Sequence, residues 1–126
     1  MPKVVLNTHA APAAIGPYSQ GFIVNDHTAY VSGQIPVNPE TGAIPADIKS
    51  QTAQSLENVK AILAKASMAM SDVVKTTVFI TDMGDFDAVN EVYATYFAEP
   101  APARSCVQVA ALPKGVKIEI EAIAAK

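Results

Sequence analysis

The sequence predicts an α+β fold: a mixed six-stranded sheet with two helices packed on one face. Three observations carry this expectation. Two stretches, from Asp47 and from Asp85, repeat apolar residues at helical spacing. Several short runs rich in β-branched residues read as strands, the strongest being Val-Val-Lys-Thr-Thr-Val-Phe-Ile at 73–80. Their order along the chain is β-β-β-α-β-α-β-β, with two strand runs following the second helix.

Taken in order, 4–6 is a short edge strand, and the punctuated loop at 11–17 leads to Tyr18-Ser19-Gln20. Strands at 21–24 and 28–32 are joined by the turn residues Asn25 and Asp26. Gly33-Gln34-Ile35-Pro36 closes that hairpin, and 38–42 is a further tight turn. In the first helix Ile48, Thr52, Leu56, Val59, Leu63 and Ala66 share a face, and Asp47 is placed to cap the N-terminus. The helix stops near Ser67 without a glycine, so a left-handed cap residue there carries strain. The second helix starts near Asp85, placed to cap it, presents Phe86, Val89, Tyr93 and Phe97 on one side, and gives way to Pro100 and Pro102.

The last two strands, 103–109 and 116–122, read as a hairpin around Leu112-Pro113-Lys114-Gly115. Alternation puts Ala103, Val107 and Val109 on one face, and Arg104, Cys106 and Gln108 on the other. Matching the apolar rows across the hairpin sets Val107 and Val109 beside Ile118 and Ile120, and Cys106 near Glu119. Arg104, Cys106 and Glu119 are then expected on one surface. Two helices on one face leave the second sheet face without cover from the chain itself.

Composition sets the class. Half of the 126 residues are apolar and only 17% are charged, which is rich for a small monomer and points to self-association. The net charge of -3 and the lack of a dense Lys/Arg cluster argue against a nucleic-acid partner. A lone cysteine cannot form an intramolecular disulfide, and no run is apolar and long enough for a signal peptide or a membrane span. The expectation is one domain over 1–126, cytoplasmic and oligomeric.

Arg104 presents a planar donor fork suited to a carboxylate or phosphate; equally, it fits an interstrand ion pair with Glu119 or Glu121. Glu119 fits a general base or water-orienting group, or an ordinary strand carboxylate. Cys106 suggests a nucleophile, but His9 and His27 both lie in turn-like segments away from it, which favours a packed thiol. No spacing of His, Cys, Asp or Glu resembles a metal site. Tyr18, Ser32 and Gly33 stand at loop edges that suit a pocket wall. Asn90, a mediocre helix former inside a helix, points to a specific hydrogen bond.

Seven segments resemble successive signatures of the Rid/YjgF family. They are Ile15-Gly16-Pro17-Tyr18-Ser19-Gln20, Ser32-Gly33-Gln34-Ile35-Pro36, Gln54-Ser55-Leu56-Glu57-Asn58-Val59, Val74-Lys75-Thr76-Thr77-Val78-Phe79, Pro102-Ala103-Arg104-Ser105-Cys106-Val107, Leu112-Pro113-Lys114-Gly115 and Ile118-Glu119-Ile120-Glu121-Ala122-Ile123-Ala124. Arg104, Cys106 and Glu119 together look most like its RidA subgroup. The resemblance implies a chorismate-mutase-like fold, a homotrimer with clefts between subunits, and cofactor-independent hydrolysis of 2-imino acids or their enamine tautomers to 2-keto acids and ammonia. It implies that Arg104 clamps the substrate carboxylate and Glu119 positions or activates water. The backbone at Cys106 would touch substrate, while Tyr18, Ser32, Gly33 and Asn90 would line the cleft. Two other functions remain open: the endoribonuclease or translation-inhibitor activity with which the family has also been labelled, and a non-catalytic metabolite-binding module. Ser67 departs from the glycine common in the family.

Overall fold

The computed structural model describes residues 2–126. Its elements are β1 (Lys3–Leu6), β2 (Gly21–Val24), β3 (Thr28–Gln34), α1 (Ile48–Lys65), β4 (Val73–Ile80), α2 (Phe86–Tyr96), β5 (Ala103–Gln108) and β6 (Ile118–Ala125). Six strands form one mixed sheet in the order β1-β2-β3-β6-β4-β5, antiparallel except for the β4–β5 pair. The α+β architecture expected from the sequence is the one observed.

Local chemistry accounts for the punctuation. Asn25 and Asp26 both take positive φ (51° and 60°) in the β2–β3 turn, a region their short polar side chains tolerate. Asp47 caps α1 by accepting from the Ser50 amide at 2.9 Å. At the other end Ser67 sits at φ 57°, with Met68 N–H bonded to Leu63 O and Ser67 N–H to Ala64 O, a Schellman ending built on a serine. Ser67→Gly is therefore expected to raise stability by about 0.5–1 kcal/mol, read as a higher thermal midpoint, because glycine enters this region without the β-carbon clash. Asp85 does not cap α2; it lies inside a preceding 3₁₀ turn, and Asp82 instead accepts from Gly84 N–H at 2.8 Å.

Both helices pack on one sheet face. Leu56, Val59, Ile62 and Leu63 of α1, with Val89 and Tyr93 of α2, close over Val31, Val78, Ile80, Ile118 and Ile120. The opposite face is open and carries exposed apolar side chains beside polar ones: Val5 is 52% exposed, Tyr30 49% and Val107 42%. Pairing aligns Val5, Phe22, Tyr30 and Ile123 in one row across four strands.

The expected final hairpin is not formed. β4 lies between β5 and β6, so Cys106 pairs with Val78, which pairs in turn with Ile120. The faces of β5 are also inverted: Arg104 and Cys106 turn half-buried toward the helices, while Ala103, Ser105 and Val107 face the open side. Matching apolar rows misled here because both faces of this sheet carry apolar side chains, so alternation alone cannot say which row meets the core. In β6 the alternation holds, with Ile118, Ile120, Ala122 and Ala124 buried. Glu119 therefore faces the open side, opposite to Arg104.

Candidate active site

Arg104 is held from α2. Phe86, Asn90 and Tyr93 stand at i, i+4 and i+7, on one side of that helix. Nη1 of Arg104 donates to Asn90 Oδ1 at 2.7 Å, and the guanidinium carbon lies 4.8 Å from the Tyr93 ring centre and 5.5 Å from that of Phe86. An interstrand ion pair with Glu119 or Glu121 is absent, since those side chains are on the other face. Among the described residues the one salt bridge within 4 Å joins Lys49 and Glu91. Arg104 is thus a fixed cation with unspent N–H donors and no acid to neutralise it.

Cys106 packs against the edge of the core beside it. Burial pushes its thiol up, only partly opposed by the Arg104 charge, so the thiol is not tuned toward a thiolate nucleophile. His9 and His27 are exposed, the latter facing the Lys126 carbonyl at 3.3 Å. Among the described residues no group of three or more His, Cys, Asp or Glu is placed to hold a metal ion.

The second set of predicted residues gathers on the open face. Tyr18, Ser32, Gly33 and Glu119 line a groove of about 490 Å³, together with Ile15, Ile35, Pro113 and Glu121. A smaller recess of about 190 Å³ adjoins it past Tyr18 and Gly33. Glu119 lies directly over Gly33: a β-carbon there would overlap its carboxyl group. Burial, and then the neighbouring Glu121 charge, push Glu119 above the usual carboxylate range, making it a stronger base than a solvated glutamate. The Ser32 hydroxyl donates to Ser19 O at 2.6 Å, fixing the Tyr18 loop to β3.

The sequence brought forward neither the aromatic seat of Arg104 nor the supports of this groove. Three buried amides provide the latter. Gln20 accepts from Thr8 N–H and donates to Thr8, Ala11 and Pro12 carbonyls, holding the loop ahead of Tyr18. Asn58 donates to Ile35 O and Val37 O, and Gln51 accepts from Lys117 N–H just before Glu119. Gln51 and Asn58 lie on the buried stripe of α1. An amide at such a position is the signal that could have found them, because it must spend its hydrogen bonds on a specific partner. Gln20 precedes β2 in a loop and carries no such signal.

Fold and site define a small α+β protein with an arginine held on two rings and an amide and, on the opposite sheet face, a half-buried carboxylate over a glycine. The family model described as endoribonuclease L-PSP matches residues 8–126. The chain belongs to this family, the Rid/YjgF family. It is 57% identical over 122 residues to the 2-iminobutanoate/2-iminopropanoate deaminase of Escherichia coli K12, covering 94% of each chain. Its structure is similar to that of E. coli TdcF with bound serine, with a TM-score of 0.92 and 55% identity over 98% of both chains. RidA from the Antarctic bacterium Psychrobacter gives a TM-score of 0.94 at 46% identity, over 98% of this chain and 99% of that one. No described helix is long and apolar enough to cross a membrane.

Proposed function

We propose that this chain hydrolyses 2-imino acids and their enamine tautomers, of the 2-iminobutanoate and 2-aminoacrylate type, to 2-keto acids and ammonia, in the cytoplasm and without a cofactor. The observation that carries the reading is Arg104, a guanidinium seated on two rings and an amide with no carboxylate of its own. A substrate carboxylate supplies the missing charge. The naming of an E. coli relative as an imine deaminase, and the serine bound to another, support an amino-acid-like ligand for this site.

A protonated imine carbon is already electrophilic. With the carboxylate on Arg104, a water beside Glu119 adds to that carbon while Glu119 takes one of its protons. Returned to nitrogen, that proton turns the amine of the tetrahedral adduct into a leaving group. The C–N bond breaks, the remaining hydroxyl loses its proton as the carbonyl forms, and both water protons leave with nitrogen as ammonium.

Within one protomer Arg104 and Glu119 face opposite sides of the sheet, so a working site needs two copies. We place the assembly as a homotrimer, whose open apolar faces meet and whose three clefts join the Arg104 edge of one subunit to the Tyr18, Ser32, Gly33 and Glu119 groove of the next. The test is complementation. Arg104→Ala and Glu119→Gln proteins, each inactive alone, are expected to regain up to about a third of wild-type activity per trimer when denatured together and refolded as a mixture. Continued inactivity of a mixture shown by mass to contain hybrid trimers would overturn the shared site. Ribonuclease chemistry, the activity in the family description, gains nothing from an acidic chain with two exposed histidines.

A further inference from the structure

Thr76 is a polar residue in the middle of the buried face of β4, only 1% exposed. It is the register partner of Arg104 across the parallel β4–β5 pair, so both side chains rise toward α2. Its hydroxyl meets the Tyr93 hydroxyl at 2.7 Å, and Tyr93 is itself 6% exposed. Each satisfies the other in a place where an unpaired hydroxyl would be expensive. Phe97 closes against the far side of the Tyr93 ring, with centroids 4.6 Å apart. The ring that carries Arg104 is therefore locked at its hydroxyl by Thr76 and at its body by Phe97.

We infer that Thr76 and Tyr93 are a positioning pair for substrate binding, acting through the Arg104 guanidinium. The argument rests on how the cation is held. A ring attracts a guanidinium through its π face and occupies none of its N–H donors. Asn90 takes one donor at Nη1, and among the described residues no other side chain or backbone group takes the rest. Arg104 is thus kept in place while its remaining donors stay free for a carboxylate. A long side chain left to wander would have to be ordered at each binding event, and the Tyr93 seat removes that entropy cost beforehand. An acidic neighbour would hold the arginine as firmly but would compete with the ligand. An aromatic ring held by a buried hydroxyl does not.

This inference rests on Arg104 being the carboxylate clamp, and its test separates the two. The probe is 2-oxobutanoate, titrated calorimetrically into wild type, Tyr93→Phe, Thr76→Val, Tyr93→Leu and Arg104→Ala. Tyr93→Phe keeps the ring and the core volume, and thermal midpoints accompany every titration. Tyr93→Phe and Thr76→Val are each expected to weaken binding about threefold, and Tyr93→Leu about tenfold, the span of a cation–π contact of moderate exposure. In NMR spectra of the ligand-free protein, the Arg104 Nε–H proton is expected to exchange faster with water in all three, a change that loosened packing elsewhere would not produce. Wild-type affinity in all three variants, with binding lost in Arg104→Ala, would overturn the positioning role and leave the clamp standing. Wild-type affinity in Arg104→Ala would remove both.

Discussion

Replacing Arg104 with alanine is expected to lower the accelerated release of keto acid by about a hundredfold or more in kcat/KM. Truncating one partner of a hydrogen-bonded charge pair costs roughly 2–5 kcal/mol, because the other charge is left without its partner. The measurement is an assay in which threonine dehydration generates the imine continuously and keto-acid formation is followed above the spontaneous rate. Arg104→Lys sharpens it. Lysine keeps the charge but neither the planar fork nor the same stacking on Phe86 and Tyr93, so about a tenfold loss is expected. A lysine variant as fast as wild type would mean that charge alone suffices; full activity in the alanine variant would end the clamp reading.

Glu119→Gln is expected to cost about 10² to 10⁴ in rate while keto-acid binding stays within a few-fold of wild type. The amide fills the same space over Gly33 but cannot take a proton. The pH profile follows from the direction of the shift. Burial and the Glu121 charge hold Glu119 above 4.5, the ordinary value. Activity needs the carboxylate, so it falls as pH drops through this raised pKa, and the acid limb lies above the usual carboxylate range. Glu121→Gln removes the second raising cause, and the limb is expected to move to lower pH. Initial rates across an acid-to-neutral series, corrected for faster spontaneous hydrolysis in acid, test both.

Most elements were legible because local chemistry decides them. Asp47 caps α1, Asn25 and Asp26 turn the hairpin, and 73–80 is the strand its β-branched residues predict. Sheet order was not legible in the same way. The two strand runs at the end of the chain are neighbours in sequence, but β4 separates them, and parallel pairing of β4 with β5 through α2 leaves no mark in 103–109 itself. Of the residues singled out from the sequence, Tyr18, Ser32, Gly33 and Glu119 share a groove, and Arg104 meets Asn90. Their division between two faces escaped the sequence, because an apolar row on the open face and one facing the core have the same composition. Asp85 illustrates the smaller kind of miss, where a 3₁₀ turn moved the cap three residues upstream.

The placement of β5 at the sheet's end also bears on what kind of assembly this chain can avoid. A terminal strand carries a row of unpaired N–H and C=O groups, a template on which further strands can grow without limit. Here that row is only six residues long, and the residues ahead of it include Pro100 and Pro102, neither of which has an N–H to donate. The two prolines stop such pairing from extending beyond the N-terminal end of β5. In the trimer proposed above, association falls instead to the open sheet face, where contact by rotation closes at three copies rather than running on as a fibre.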